Sequence, residues 1–312
     1  MNITHKFAAI DIGSNAIRLL FYNIYLDLKG EPNFKKVALT RVPIRLGEDV
    51  FVTNRISDHK IELLRKTLIA FRNLIEVHEV VEYMACATSA MREAENAQEV
   101  QEYLKKETGV EIKTITGDME ADLIFQNHIA DTMNPQRAYL YIDVGGGSTE
   151  ITLFYQGEKR FSESFQLGTV RSIHDKVSKE TWDKLKLKCI ELSHRYKNIT
   201  GIGSGGNIIK LQKLAGAGEN TPFTRPQLKE IYHELKDLTY EERMRKHGLN
   251  PDRADVIVPA AEIFLFITKH MEIRNIIVPK MGLSDGIIHY MYEEYVKKDK
   301  NFLEGPTKIT PE

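Results

Sequence analysis

Cysteine is nearly absent from this chain, whose 312 residues include only Cys86 and Cys189. The two lie far apart in the sequence, and neither has the neighbours that a Cys/His zinc site requires. The sequence also contains no HExxH motif. We therefore expect a reduced intracellular chain that has neither a disulfide framework nor a zinc site.

Long hydrophobic runs are missing as well. The longest apolar stretch, residues 256–267 (VIVPAAEIFLFI), is interrupted by Pro259 and Glu262 and is too short to span a bilayer. The chain opens with MNITHKFAAIDIG and enters a strand-like segment at once, which leaves no room for a signal peptide. We expect a cytoplasmic protein that has no membrane partner.

The chain lacks an excess of charge of either sign. Its 43 Lys and Arg residues balance 44 Asp and Glu residues, so the formal net charge is −1. Such a balance gives no global attraction to nucleic acid, and we expect no nucleic-acid partner. Any anion site must be a local concentration of Lys, Arg and backbone N–H groups. With 42% hydrophobic and 28% charged residues, the composition is that of an ordinary globular protein long enough for two domains.

A strand–turn–strand unit is present twice. Residues 8–24 (AAIDIGSNAIRLLFYNI) align without a gap with residues 140–156 (LYIDVGGGSTEITLFYQ). The matched pairs are Asp11 with Asp143 and Gly13 with Gly145. Because both copies of the Asp-x-Gly turn lie between strand-like segments, the repeat predicts two similar domains that face each other.

The rest of the sequence alternates helical and strand-like segments. Residues 60–75 carry apolar side chains on one helical face. Thr239 and Glu242 have the spacing of a capping box, and Gly248 is placed to end that helix. Further helices are predicted near residues 118–133, 178–197, 224–237 and 239–247, strands at residues 82–88 and 110–116, and strand–turn–helix units at residues 199–214 and 276–296. The pattern indicates a mixed α/β protein.

The glycine turns are candidate phosphate sites. Backbone N–H groups in such turns can converge on an anion, and glycine has no Cβ to block a close approach. The residues concerned are Gly145, Gly146, Gly147, Ser148 and Thr149 in one turn and Gly13, Ser14 and Asn15 in the other. The simpler alternative is that the glycines only form tight hairpins. Together with the repeat and its aspartates, they favour two turns that grip a phosphate chain or a nucleoside triphosphate.

Carboxylates beside these turns point to a divalent cation. Asp11 and Asp143 would repel phosphate directly, whereas Mg²⁺ can bridge carboxylate and phosphate oxygens. Glu150 begins the return strand of the second copy and can point toward the same cleft, although an exposed glutamate on the strand surface is the alternative. We therefore predict Mg²⁺ as cofactor, with Asp11, Asp143 and Glu150 as its ligands.

Several sequence motifs resemble those of the exopolyphosphatase and guanosine-pentaphosphate phosphohydrolase (Ppx/GppA) family, within the actin, sugar-kinase and heat-shock ATPase superfamily. The matching segments are AAIDIGSNAIRLL, ATSAMREAEN, TITGDMEADLIF, YIDVGGGSTEIT, FQLGTVR, GSGG, DRADVIVPAAEIF and MGLSDGII. The resemblance implies two ribonuclease-H-like domains with mixed sheets facing a central cleft. We expect them at residues 1–127 and 128–289, with a helix at about residues 290–312 that can pack back on the first domain. It also implies hydrolysis of the terminal phosphate of inorganic polyphosphate or of pppGpp.

The resemblance assigns roles to individual residues. It implies that Glu120 activates water, that Asp143 and Glu150 form a second acidic pair, and that Arg92 holds an anion. The implied phosphate-loop residues are Gly13, Ser14, Asn15, Gly145, Gly146, Gly147 and Ser148. Glu120 lies in the first turn of a helix, where interaction with the helix dipole is an alternative role. For Arg92 the alternative is a surface salt bridge.

Two positions depart from the family pattern and leave the substrate preference open. Ala16 stands where the family usually has serine, and residues 282–286 read GLSDG where it commonly has GLREG. The chain resembles the short, two-domain type, so a long polyphosphate channel would have to come from a homodimer or be absent. Two other functions remain open: an ATP-dependent small-molecule kinase that uses residues 201–206 (GIGSGG) as a nucleoside grip, and a non-catalytic (p)ppGpp sensor.

Overall fold

The computed structural model describes residues 5–125, 134, 136–218 and 221–298. Its strands are β1 (His5–Ile12), β2 (Ile17–Leu26), β3 (Pro32–Val42), β4 (Glu82–Ala87), β5 (Ile112–Thr114), β6 (Ala138–Val144), β7 (Thr149–Tyr155), β8 (Glu158–Phe165), β9 (Thr200–Ser204), β10 (Phe223–Thr224) and β11 (Asn275–Ile277). Its helices are α1 (Leu46–Thr53), α2 (Asp58–Val77), α3 (Ser89–Glu93), α4 (Ala97–Thr108), α5 (Gly117–Phe125), α6 (Thr169–Ile173), α7 (Lys179–Arg195), α8 (Gly206–Leu214), α9 (Arg225–Asp237), α10 (Tyr240–His247), α11 (Pro251–Ala254), α12 (Ile257–His270) and α13 (Leu283–Lys298).

The strands form two sheets with the same topology. The first has the order β3-β2-β1-β4-β5, and the second has the order β10-β11-β9-β6-β7-β8. In each sheet three consecutive strands form an antiparallel meander, and two later strands add in parallel on the other side of its first strand. The second sheet has one more strand, the short β10, which pairs antiparallel with β11 at the edge. The predicted fold, two mixed-sheet α/β domains of ribonuclease-H-like type, is confirmed.

Helices cover both faces of the first sheet. The apolar stripe of α2 packs on one face through Leu64, Leu68, Phe71 and Ile75, as its spacing predicts. On the other face, α13 packs against β1, β2, β4 and α5. The carbonyl of Leu123 approaches Gly286 so closely that a Cβ there would overlap it, which fixes the contact between α5 and α13. Helix α13 thus packs on the first sheet. Residues 299–312 of the predicted C-terminal helix lie outside the described residues, and the domain boundaries at residues 127 and 289 stay a prediction.

The second sheet is covered by α7, α9 and α12. Helix α12 is buried along much of its length, because residues 257–270 include few polar side chains. In the described part of the chain, no helix is both long and apolar enough to cross a membrane. Cys86 and Cys189 are free and buried.

Most predicted elements are present, with shifted ends. The strand predicted at residues 110–116 is limited to β5, and the helix predicted from residue 118 is α5, whose predicted continuation lies outside the described residues. The capping box of Thr239 and Glu242 is confirmed, and Gly248 ends α10 with φ of 56°. These short-range features are set by local side-chain chemistry and are therefore visible in the sequence.

Candidate active site

The predicted site residues meet in a cleft of about 100 Å³ between the two sheets. The first domain contributes Asp11, Gly13, Ser14, Asn15 and Glu120 to its lining. The second contributes Asp143, Gly145, Gly146, Ser148 and Glu150. Gly147 and Arg92 lie outside the lining. The elements that carry these residues are the ends of β1 and β6, the turns that follow them, the start of β7 and the first turn of α5.

The two glycine turns have the same backbone hydrogen bond. The N–H of Gly13 donates to the carbonyl of Ala16 at 3.1 Å, and the N–H of Gly145 donates to the carbonyl of Ser148 at 2.9 Å. Within the described residues, the next three N–H groups of each turn donate to no protein acceptor. They belong to Ser14, Asn15 and Ala16 in the first turn and to Gly146, Gly147 and Ser148 in the second. Six free donors at one cleft suit an anion with several oxygens.

The turns are in contact across the cleft. A Cβ on Gly146 would lie 2.9 Å from the Cβ of Ser14 and 3.3 Å from the backbone nitrogen of Asn15. A Cβ on Gly147 would overlap the ring of Phe51 and approach the hydroxyl of Ser89. These two glycines therefore lack side chains because the second turn lies directly against the first domain.

The duplicated hairpins differ in charge at one position. Asp11 on β1 lies opposite Arg18 on β2, and the Arg18 Nη1 donates to the Asp11 Oδ2 at 2.8 Å. At the same place in the second hairpin, Asp143 on β6 lies opposite Glu150 on β7. Opposed like charges are unfavourable in a sheet. The first hairpin thus neutralises its aspartate, and the second leaves two acids together.

Glu120 is a second buried acid of the first domain, beside Asp11. It lies in the first turn of α5, where its backbone N–H bonds to the carbonyl of Thr116 and its side chain faces the cleft. Its Oε2 is buried and has no hydrogen-bond partner among the described residues. Burial, followed by the charges of Glu150 and Asp143, raises the pKa of Glu120 well above its usual range. A carboxylate held this way is a strong base with a free oxygen.

The acids of the second hairpin are also perturbed. Burial, followed by the charge of Glu150, raises the pKa of Asp143 to about 7. Burial raises the pKa of Glu150 too, but its Oε1 accepts hydrogen bonds from Ser148 at 2.6 Å and from Ser164 at 2.8 Å, which act in the opposite direction. The two hydroxyls orient Glu150 and favour its charged form.

The acids fit a divalent cation only in part. In the described ranges, no three His, Cys, Asp or Glu side chains are grouped so that they could hold a metal ion by themselves. Asp11 already has Arg18 as its partner. Asp143 and Glu150 remain as adjacent oxygen donors, and among the described residues neither has a cationic hydrogen-bond partner. Mg²⁺ commonly binds through one or two carboxylates plus phosphate oxygens and water, and these two residues suit that mode.

Arg92 lies behind the acids rather than in the cleft lining. It is on α3, and its Nη1 donates to the carbonyl of Ile115 at 2.8 Å. Its charge lowers the pKa values of both Glu120 and Glu150, although burial outweighs it in each case. The structure therefore brings Arg92 near the carboxylates. Its direct contact with phosphate stays a prediction.

Three arginines at the cleft were not identified from the sequence as site residues. Arg18, Arg41 and Arg253 all line it. Arg41 forms an ion pair with Asp252, whereas the guanidinium of Arg253 makes no hydrogen bond or ion pair with the described residues. Arg253 lies in the DRADVIVPAA segment, to which sequence reasoning assigned no chemistry. The signal for Arg18 was its strand position opposite Asp11.

Both departures from the family pattern have a visible structural outcome. Ala16 lines the cleft with its free backbone N–H but offers no hydroxyl. Asp285 of the GLSDG segment is buried, accepts a hydrogen bond from the Tyr22 hydroxyl at 2.6 Å and pairs with Lys36 at 2.7 Å. In this chain Asp285 holds the start of α13 to the first sheet.

The GIGSGG segment also reaches the cleft. Ser204, Gly205 and Gly206 line it at the start of α8. Gly205 has a backbone φ of 96°, which residues with a side chain rarely adopt, and a Cβ there would lie 3.1 Å from the Asp143 Oδ1. This third turn is therefore positioned against the acidic hairpin.

Comparison with known proteins gives one consistent family. The model of the Ppx/GppA phosphatase family matches residues 26–294. Exopolyphosphatase 1 of Mycobacterium tuberculosis and that of Mycobacterium bovis are each 24% identical over 310 residues, covering 91% of this chain and 87% of the relative.

Solved structures agree with this result. A Ppx/GppA family member from Aquifex aeolicus is similar with a TM-score of 0.72 and 26% identity, covering 93% of this chain and 98% of that one. An exopolyphosphatase from Cytophaga hutchinsonii shares the fold, with a TM-score of 0.78 and 23% identity over 93% of this chain and 98% of that one. The chain therefore belongs to the Ppx/GppA phosphatase family, which confirms both the resemblance and the prediction that the protein is an enzyme.

Proposed function

We propose that the protein is a Mg²⁺-dependent exopolyphosphatase that removes the terminal phosphate of inorganic polyphosphate in the cytoplasm. The observation that carries the proposal is the pair of opposed turns, which together leave six N–H groups without a protein acceptor among the described residues and meet at one small cleft beside an unpartnered Glu120 oxygen. The names of the mycobacterial relatives support the same substrate class.

In this proposal the turns hold the oxygens of the terminal phosphate. The N–H donors neutralise its charge and orient its phosphorus atom toward water, because phosphoryl transfer depends mainly on positioning and electrostatic stabilisation. Mg²⁺ held by Asp143 and Glu150 would add positive charge to the phosphate oxygens. Asp11 is the third proposed ligand; its Oδ2 accepts from Arg18, so its other carboxylate oxygen would be the one to contact the cation.

Glu120 acts as the base. Its free Oε2 accepts a proton from water while the water oxygen bonds to the terminal phosphorus and the bridging P–O bond breaks. The products are inorganic phosphate and a polyphosphate chain that is shorter by one phosphate unit. The pKa of Glu120 is raised from its ordinary value toward the pH at which the enzyme works, which makes the carboxylate a better base. The positive charge of Arg92 limits that rise in pKa. General base catalysis of this kind contributes roughly 10²–10⁴ in rate.

The test is phosphate release from long polyphosphate with Mg²⁺ and no acceptor. We expect Glu120→Gln to lower kcat at least about 100-fold while polyphosphate binding is retained. Asp118→Asn is the matched control, because Asp118 is an exposed acid in the same helical turn. Equal loss in both variants, or full activity in Glu120→Gln, would contradict the proposal.

The same preparation separates the other functions. Turnover that requires ATP and a small acceptor would identify a kinase, which the glycine turn at Gly205 and Gly206 could serve. Tight (p)ppGpp binding without any phosphate release would identify a sensor. We also propose pppGpp as a second substrate and a homodimer as the source of a long channel. Competition between pppGpp and polyphosphate, and light scattering of the purified protein, test these two points.

A further inference from the structure

Arg171 is a buried cation at the boundary between the two domains. It lies on α6, and 7% of its surface is exposed. Its Nε donates to the carbonyl of Gly147 at 2.9 Å, and its Nη2 donates to the two carboxylate oxygens of Glu93 at 2.8 and 2.6 Å. Its guanidinium carbon lies 4.1 Å from the centre of the Phe51 ring. One side chain thus contacts the second glycine turn, α3 and α1.

Helix α6 holds every carbonyl of the three-glycine segment. The backbone N–H of Thr169 donates to the carbonyl of Gly145 at 3.0 Å. The N–H groups of Val170 and Arg171 donate to the carbonyl of Gly146 at 2.8 and 3.1 Å. The carbonyl of Gly147 accepts from the Arg171 side chain instead of from the α6 backbone.

These bonds determine where the free donors of the turn point. In a planar trans peptide, the C=O of one residue and the N–H of the next point in opposite directions. Fixing the carbonyls of Gly145 and Gly146 therefore orients the N–H groups of Gly146 and Gly147 away from α6. By the same geometry, Arg171 orients the N–H of Ser148. This third donor is the one whose orientation depends on a side chain.

Glu93 connects this arrangement to the first turn. It is the last residue of the five-residue helix α3, which begins at Ser89. The hydroxyl of Ser89 hydrogen-bonds with the hydroxyl of Ser14 at 2.8 Å. Helix α3 therefore contacts the first turn at one end and Arg171 at the other, and Arg171 contacts the second turn. The series of contacts is complete only when the two domains are together.

We propose that Arg171 is a positioning residue, which orients the Gly147–Ser148 peptide toward bound phosphate and, through Glu93, makes that orientation depend on domain closure. This inference rests on the proposed phosphate-binding role of the turns. Arg171 does not touch the substrate. Its planar guanidinium donates to a carbonyl and a carboxylate at once in a fixed geometry, which a lysine ammonium reproduces poorly.

The decisive variant is Arg171→Lys, which keeps the charge and removes the fixed geometry. We expect kcat/KM for polyphosphate to fall by roughly ten- to a hundredfold, as a misplaced donor predicts. We also expect faster hydrogen exchange at Gly145, Thr169 and Val170, whose N–H groups are hydrogen-bonded to carbonyls of the turn. Glu93→Gln keeps the bond from Arg171 to Gly147 and should produce a smaller loss. The effects of Glu93→Gln and Arg171→Lys should be non-additive in the double variant, because both act through one contact.

The matched control is Asp255→Asn. Asp255 pairs with Arg45 at 2.5 Å across the same domain boundary, and Arg45 keeps its second partner, Glu48. We expect this variant to lose thermal stability but to stay within about threefold of wild-type kcat/KM. If Arg171→Lys behaves like this control, with unchanged exchange at the turn, its role is structural only and the inference is wrong.

Two further readouts keep the outcome clear. Hydrogen exchange needs no turnover, so it tests the orientation of the turn even if the wild-type protein releases no phosphate from polyphosphate. In that case the proposed function fails, and the inference about the turn fails only if exchange in Arg171→Lys is also unchanged. Should Arg171→Lys not fold, Glu93→Gln serves as the test, and wild-type kcat/KM in that variant would overturn the dependence on closure.

Discussion

Replacing Gly146 with alanine tests whether the opposed turns matter. The added Cβ would lie 2.9 Å from the Ser14 Cβ and 3.2 Å from the Val170 Cγ2. Ordinary carbon–carbon contacts are roughly 3.5–4.0 Å, so the turns must separate by about 0.5–1 Å. The contact with Ser14 crosses the domain boundary, and a small opening of the cleft can relieve it without unfolding either domain. The substitution should therefore affect the closed cleft more than the fold.

The expected loss of kcat/KM in Gly146→Ala follows from two independent estimates. Overpacking a close contact costs about 1–3 kcal/mol, and each 1.36 kcal/mol corresponds to about tenfold in rate. Misplacement by about 1 Å costs on the order of 10²-fold. We expect Gly146→Ala to lower kcat/KM for polyphosphate by roughly 10- to 100-fold.

The assay is phosphate release at several polyphosphate concentrations, with the melting temperature measured alongside. Gly218→Ala is the control, because its Cβ would meet only ordinary contacts, the nearest at 3.4 Å. A folded Gly146→Ala protein with kcat/KM close to that of the control would refute the argument that phosphate binding requires the two turns in contact.

The remaining predictions concern stability. Gly286→Ala should lower the melting temperature by several degrees, since overpacking against the Leu123 carbonyl costs about 1–3 kcal/mol; calorimetry showing no decrease would contradict the packing of α13. Thr239→Ala should cost about 1 kcal/mol in urea unfolding through loss of its cap and leave kcat/KM unchanged. The pKa of Asp143 is raised from 3.8 to about 7 in the folded state, so its protonation stabilises the metal-free protein below pH 4, and this contribution is lost as pH rises toward 7. We expect the free energy of unfolding to decrease by an amount on the order of 1–2 kcal/mol between pH 4 and pH 7, after allowing for the partial exposure of Asp143. Asp143→Asn should flatten this dependence of stability on pH. An equally steep dependence in that variant would contradict the raised pKa of Asp143.

The sequence predicts much of the topology because the information is repeated and local. The Asp-x-Gly hairpins repeat at a constant offset, and the helical stripe of α2 and the capping box of α10 are read over a few residues. Two glycine turns in equivalent places then follow from the repeat. Their mutual contact follows only from the structure, since Gly146 and Ser14 belong to different sheets.

Other elements have no such local signal. Strand β3 is an edge strand with mostly exposed or half-buried residues, so its sequence lacks a clear alternation. Helix α12 is apolar on nearly every side, and burial on all sides removes the helical period. Arg171 and Glu93 are 78 positions apart, and neither has a neighbour in sequence that suggests the other. Their pairing is a product of domain packing.

A single difference in charge between the two hairpins makes the cleft electrostatically asymmetric. The duplicated hairpins have the same backbone, yet Arg18 in one copy corresponds to Glu150 in the other. The wall formed by the first copy is neutral and adjoins Arg41 and Arg253, whereas the wall formed by the second is acidic. A counter-cation would be drawn to the acidic wall, where it would meet the oxygens of a polyanion held between the two walls. Duplication thus supplies the shape of the cleft, and one charge reversal makes its two walls electrostatically different.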